Sequence, residues 1–233
     1  MAIKWVFFDI GDVLFNEDAP HMLYFHSLLA AMRRNGVDVE WDDYHAQIRA
    51  CVRLVPATAA ADAAHHFIQN NELWEKTFRE GRAIYEAIRH PRPYGVLLDN
   101  MTATVQNIRS KCRIGIIANQ HAEVLQGLDD YGVGDLFDVK IIDQVVGVSK
   151  PDPAIFHLAL NQAGCEPDEA MMVGDRPDSD IAPAKTLGMR TVRFRRGLLY
   201  TYCDPRSDLE RADVEVQELS SLAAAISGLA DFK

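Results

Sequence analysis

Asp9, Asn119, Lys150 and Asp175 come from four distant stretches of the chain, and each follows, at once or after a short loop, a run with strand character. Carboxylates such as Asp9 and Asp175, with a backbone carbonyl and water, supply the hard oxygen ligands that suit Mg²⁺. The carboxylate of Asp9 can attack a phosphoryl group only where that group's negative charge is neutralised. Lys150 would add a point charge between nucleophile and phosphate. In an open α/β sheet, ligands bind outside the carboxyl ends of the strands, so these four residues would converge on one rim. Chance could place one or two of them there; four make a site the favoured explanation.

The elements that must hold them are suggested by periodicity. Ile3 to Asp9 is apolar and rich in β-branched and aromatic types, as in a strand buried on both faces, and it stops at Gly11. From about Pro20 to His90 the spacing turns helical. Phe25, Leu28, Leu29 and Met32 share a face before Asn35-Gly36, and Trp41 to Leu54, Thr58 to Asn70 and Glu72 to Ile88 are further helix candidates. No strand candidate interrupts this block, which reads as an insertion with Pro91 and Pro93 at its exit. After it, helices Gly95 to Ser110, His121 to Tyr131, Pro153 to Ala163 and Ile181 to Leu187 alternate with strands Arg113 to Ala118, Val139 to Ile142, Ala170 to Val173 and Arg190 to Phe194. A short strand at Val214 to Val216 and a helix at Leu219 to Leu229 complete the pattern. Such alternation predicts an α/β fold, a doubly wound, Rossmann-like parallel sheet. Residues 1–15 and 94–233 would form this core, with an inserted α-helical cap domain at 16–93.

A formal charge of −10 opposes nucleic-acid binding, which rests on Lys and Arg neutralising phosphates. It does not exclude a small anionic substrate, because a bound cation can reverse the field at a site. The four cysteines, Cys51, Cys112, Cys165 and Cys203, form no C-x-x-C pair and read as reduced thiols. Neither a secretion signal nor an apolar run long enough for a membrane span is present, so a cytoplasmic location without membrane partners is expected.

Phe7-Phe8-Asp9-Ile10-Gly11-Asp12-Val13-Leu14 resembles the first motif of the haloacid dehalogenase-like superfamily, and Ile116-Ile117-Ala118-Asn119 resembles the second. Ser149-Lys150-Pro151-Asp152-Pro153 looks like the third, and Val173-Gly174-Asp175 with Asp180 is similar to the fourth. Order and spacing fit from Phe7 to about Phe194, and the helical insertion is similar to the family's C1-type cap. The resemblance implies an Mg²⁺-dependent hydrolase of small phosphate monoesters in which Asp9 becomes phosphorylated. It further implies that Gly11 gives its backbone carbonyl to Mg²⁺, that Asp175 is a direct ligand, that Asp180 holds the metal's shell, and that Asn119 binds phosphate or orients substrate. Cap specificity would come from Asn16 to Asp18 and the cap helices.

Blander roles exist for these residues singly. An Asp after a strand is often a cap or turn former, Lys150 before Pro151 could be a solvated charge, and Asp178 reads as a helix cap. His65, His66 and Cys51 lack ligand spacing. Two positions depart from the family's phosphatases. Gly11 stands where a second Asp usually moves a proton, leaving Asp12, Asn16, Glu17, Asp18 or a cap histidine as alternatives. Ala118 replaces a hydroxyl that binds the phosphoryl group, a loss of about 3 kcal/mol at a reacting centre. A C–halogen hydrolase and a catalytically impaired binding protein are therefore the rival expectations. The partner expected is a small phosphorylated metabolite, met by a monomer or homodimer.

Overall fold

The apolar run near the amino terminus forms β1 (Trp5–Phe8), all four residues buried. The two-residue strand β2 (Phe15–Asn16) follows, then four helices: α1 (Asp18–Arg34), α2 (Trp41–Val52), α3 (Ala59–Phe67) and α4 (Asn71–Ile88). Next come β3 (Val96–Leu97), α5 (Met101–Arg109), β4 (Arg113–Ala118), α6 (Val124–Asp130), β5 (Val139–Ile142) and α7 (Asp143–Val146). The chain closes with α8 (Pro153–Ala163), β6 (Ala170–Gly174), α9 (Ala182–Leu187), β7 (Arg190–Phe194), β8 (Val214–Val216) and α10 (Leu219–Leu229). This computed structural model describes residues 2–53, 58–89 and 95–230. Pro91, Pro93, Leu54 and His90, at the expected edges of the helical block, lie outside the described residues. Contacts divide the chain into a core unit (Met1–Asn16, Tyr94–Arg196, Pro205–Lys233) and a helical unit (Glu17–Pro93, Gly197–Asp204).

In the core unit six strands run parallel in the order β5-β4-β1-β6-β7-β8. Successive side chains of a strand point to opposite faces. Val6 and Phe8 join Ile114, Ile116, Met171 and Val173 in one apolar layer, which α5, α6 and α10 cover with Val105, Leu128 and Ile226. Trp5 and Phe7 join Ile117 and Met172 in the other, covered from α8 by Ile155, Phe156 and Leu160. Helices on both faces make the sheet doubly wound. β1 lies between β4 and β6, with Phe8 opposite both Ile116 and Val173. Connections from β1 leave to one side and later return to the other. This reversal of strand order is where open α/β sheets place their ligands.

Two expectations need correction here. Gly95 to Ser110 is not one helix, because Val96 and Leu97 pair antiparallel with Asn16 and Phe15. Leu98 N–H then donates to Leu14 O at 2.9 Å, and Asn100 turns left-handed at φ 66° before α5 starts at Met101. Residues Pro177–Ile181 form a π-helical turn ahead of α9, so that helix begins at Ala182 rather than Ile181.

In the helical unit α1 and α4 pack closely through Gly81, where an added Cβ would stand 2.6 Å from Leu28 Cδ2. Phe25, Leu28, Met32, Tyr44, Ile48, Ala60 and Ala64 form its core, and the Tyr44 hydroxyl donates to Ala60 O at 2.9 Å. Leu199 and Cys203 also belong to that cluster, and Leu198 N–H donates to Asp18 Oδ1 at 2.7 Å. The expected core range of 94–233 is thus interrupted at Gly197–Asp204, which clusters with the helices. Among the described residues no helix is long and apolar enough to cross a membrane.

Candidate active site

Asp9 extends β1 by one residue, and its N–H donates to Val173 O at 2.9 Å, continuing the ladder with β6. Asp175 follows the end of β6 immediately. Asp180 reaches the same place from the π-helical turn, and carboxylate oxygens of Asp9, Asp175 and Asp180 all lie within 4.8 Å of one another. Gly174 makes this possible: a Cβ there would stand 2.4 Å from Asp180 Cβ and 2.5 Å from its Oδ2.

Lys150 is buried among these acids, with Nζ 2.8 Å from Asp9 Oδ1 and 2.6 Å from Asp180 Oδ1. Arg176 N–H donates to the other Asp180 oxygen at 3.0 Å. Asn119 is joined to the Lys150 backbone: its Nδ2 donates to Lys150 O and its Oδ1 accepts from Lys150 N–H, each at 2.8 Å. Asp143, which pattern reading left without a role, steadies the same loops. Its Oδ1 accepts from Gln120 N–H at 2.7 Å and its Oδ2 from Ser149 Oγ at 2.9 Å. Asp178, read as a cap, pairs with Arg176 at 2.9 Å.

The segment after Asp9 turns tightly, with the N–H groups of Leu14 and Phe15 donating to Ile10 O at 2.8 and 3.0 Å. Gly11 sits half-buried within the turn. Asp12 adopts φ 51°, a left-handed conformation that Asp tolerates better than most residues, and is fully buried with Oδ1 3.8 Å from Arg196 Nη1. Asn16 lies half-buried on β2 opposite Val96.

Burial pushes the Asp9 carboxyl up; Lys150 pulls it back and Asp180 raises it again, leaving it at about 6. Burial, then Asp180, Asp9 and Asp12, hold Asp175 well above the usual carboxylate range. Burial alone would lower Lys150, but Asp180 and Asp9 outweigh it and raise the ammonium above its ordinary value. Of the three buried carboxylates only Asp9 and Asp180 are paired with this ammonium, and Asp175 Oδ2 has no hydrogen-bond partner. A cluster so short of positive charge, built from hard oxygen donors, fits a divalent cation such as Mg²⁺.

Over 203 residues the chain is 31% identical to the pyrimidine 5′-nucleotidase YjjG of Escherichia coli, covering 82% of this chain and 85% of that one. It is 29% identical over 211 residues to a glyceraldehyde 3-phosphate phosphatase of Pyrococcus abyssi, covering 84% and 82%. The crystal structure of an HAD phosphatase from Thermococcus onnurineus superposes with a TM-score of 0.61 at 25% identity, covering 97% of this chain and 99% of that one. The profile of haloacid dehalogenase-like hydrolases matches residues 3–188, and the chain belongs to that family.

Proposed function

We propose that this hydrolase cleaves small phosphate monoesters with Mg²⁺, through a phosphoaspartate on Asp9. The observation that carries the reading is the buried cluster of Asp9, Asp175 and Asp180 with Lys150 Nζ 2.8 Å from the proposed nucleophile. Asp9, Asp175 and the Gly11 carbonyl would hold Mg²⁺, with Asp180 supporting them, and the bound ion would neutralise the phosphoryl charge. One Asp9 oxygen bonds to phosphorus as the ester oxygen departs with the bonding electrons, and water then hydrolyses the acyl phosphate. Lys150 keeps Asp9 ionised and faces the charge that builds on the phosphoryl oxygens. Asn119 holds the Lys150 backbone in place, leaving the second N–H of its amide to meet substrate, and Asn16 is a further substrate contact.

Gly11 gives no proton to the departing oxygen, and Asp12 is buried beside Arg196. General acid catalysis contributes about 10²- to 10⁴-fold where it operates. Without it at position 11, esters of acidic alcohols and phenols should be cleaved far faster than simple alkyl esters. A C–halogen hydrolase needs no metal, so a carboxylate cluster short of positive charge supports the phosphatase reading over that rival. The names of the relatives support it too, and put glyceraldehyde 3-phosphate and pyrimidine 5′-nucleotides at the head of a substrate panel.

The test is phosphate release from that panel with Mg²⁺ and with chelator, in the wild type and Asp9→Asn. Release that needs Mg²⁺ and vanishes with the substitution is expected. Turnover of a haloacid that persists in chelator, with every ester inert, would overturn the reading.

A further inference from the structure

Arg193 is the largest of the fully buried side chains, and the chemistry proposed above makes no use of it. In β7 it stands in register between Gly174 of β6 and Glu215 of β8. A guanidinium in a strand interior is unfavourable unless its donors are paired, and here they are. Arg193 Nε–H donates to the carbonyl of Asp175 at 3.0 Å, and Nη1 donates to Glu215 Oε2 at 3.1 Å. Arg195 Nη1 reaches the other Glu215 oxygen at 3.3 Å, so the carboxylate on β8 is fixed from both sides.

The acceptor that the charge serves is specific. The Asp175 carbonyl lies between the end of β6 at Gly174 and the π-helical turn that begins at Pro177, so holding it restrains the stretch of backbone from which the Asp175 carboxylate projects. A planar, always-charged donor fixes that carbonyl more firmly than a lysine's rotating ammonium would.

We propose that Arg193 is a positioning residue for the Asp175 carboxylate, and that Glu215 on the edge strand β8 holds it to that task. This rests on the reading of Asp175 as an Mg²⁺ ligand. Arg193 touches neither substrate nor metal; it acts through the backbone. Groups that orient metal ligands typically change affinity about 10- to 100-fold when removed.

The test is titration calorimetry of Mg²⁺ into the wild type, Arg193→Met and Arg193→Lys, with thermal unfolding and the Mg²⁺ dependence of kcat measured alongside. Arg193→Met should weaken Mg²⁺ by about 10- to 100-fold, and saturating Mg²⁺ should restore most of kcat with the substrate KM little changed. Arg193→Lys keeps the charge but not the fixed fork, and should fall between. Should Arg193→Met not fold, Arg193→Lys decides: weaker Mg²⁺ binding supports the proposal. A variant that unfolds at lower temperature yet binds Mg²⁺ as tightly as the wild type overturns it. A wild type that binds no Mg²⁺ removes the reading of the site itself, and shows this before any variant is made.

Discussion

The two units bury different kinds of side chain. In the core unit Asp9, Asp12, Lys150, Asp175, Asp180 and Arg193 are all taken out of water, most of them around one spot beyond the ends of β1 and β6. In the helical unit the buried positions are aliphatic or aromatic side chains, alanine, Gly81 and Cys203, with Ser27 and Thr77 the buried aliphatic hydroxyl residues among those described. Charge burial opposes folding unless partners offset it, whereas apolar burial favours it directly. Variants in the core unit should therefore change chemistry and ion affinity, sometimes with a gain in stability. Variants at the buried positions of the helical unit should change stability and leave ion affinity unaltered.

Asp9→Asn breaks the contrast most sharply. Turnover should fall by about 10⁴-fold or more, as when other covalent nucleophiles are removed. The metal-free chain should nevertheless unfold at a higher temperature, because one carboxylate of a crowded, like-charged group has gone; phosphate release and thermal unfolding on the same sample read both. In the helical unit Leu28→Ala should cost about 3 kcal/mol of stability and leave Mg²⁺ affinity unaltered, as checked by denaturant unfolding and calorimetry. Gly174→Ala forces a Cβ into Asp180 and should weaken Mg²⁺ by about 10-fold or more. Calorimetry in which this variant matched the wild type would remove the case for the notch.

Acidity should act on the units with opposite sign. Asp9 at about 6 lies above its ordinary 3.8, so the metal-free native chain holds more protons than the unfolded one between these values. Its contribution is thus most favourable at low pH and is lost as pH rises towards 6. Because Mg²⁺ competes with that proton, stabilisation by Mg²⁺ should grow from pH 5 to pH 7. His21 in α1 behaves inversely, since burial lowers it from 6.5 to about 4. There the unfolded chain takes the proton first, and stability falls as pH drops below 6.5. Hydrogen exchange at pH 5 and 7 should show α1 loosening on acidification while β1 and β6 of the metal-free chain tighten.

Much of this arrangement was legible because the residues concerned announce themselves locally. β1 reads as a buried strand from its unbroken apolar run, and the four motifs each carry a polar residue just past a strand. What escaped depends on distant partners. Val96 and Leu97 form a strand through pairing with Phe15 and Asn16, a register that nothing in residues 95–110 records. Arg193 gives no local sign of its burial, which depends on Asp175 and Glu215 around it. Asp143 carries no local sign of a role, although its carboxylate links Gln120 to Ser149. Asn119 stands out by its place in a motif, but its two bonds to the Lys150 backbone depend on how the loops approach.

Because residues 197–204 cluster with the helices, the helical unit is assembled from two separated pieces of chain. Transplanting 17–89 alone into a related scaffold would leave behind Leu199 and Cys203, which complete its apolar interior. A chimaera intended to exchange substrate preference between relatives must move both pieces together, or it will expose a gap in the borrowed bundle.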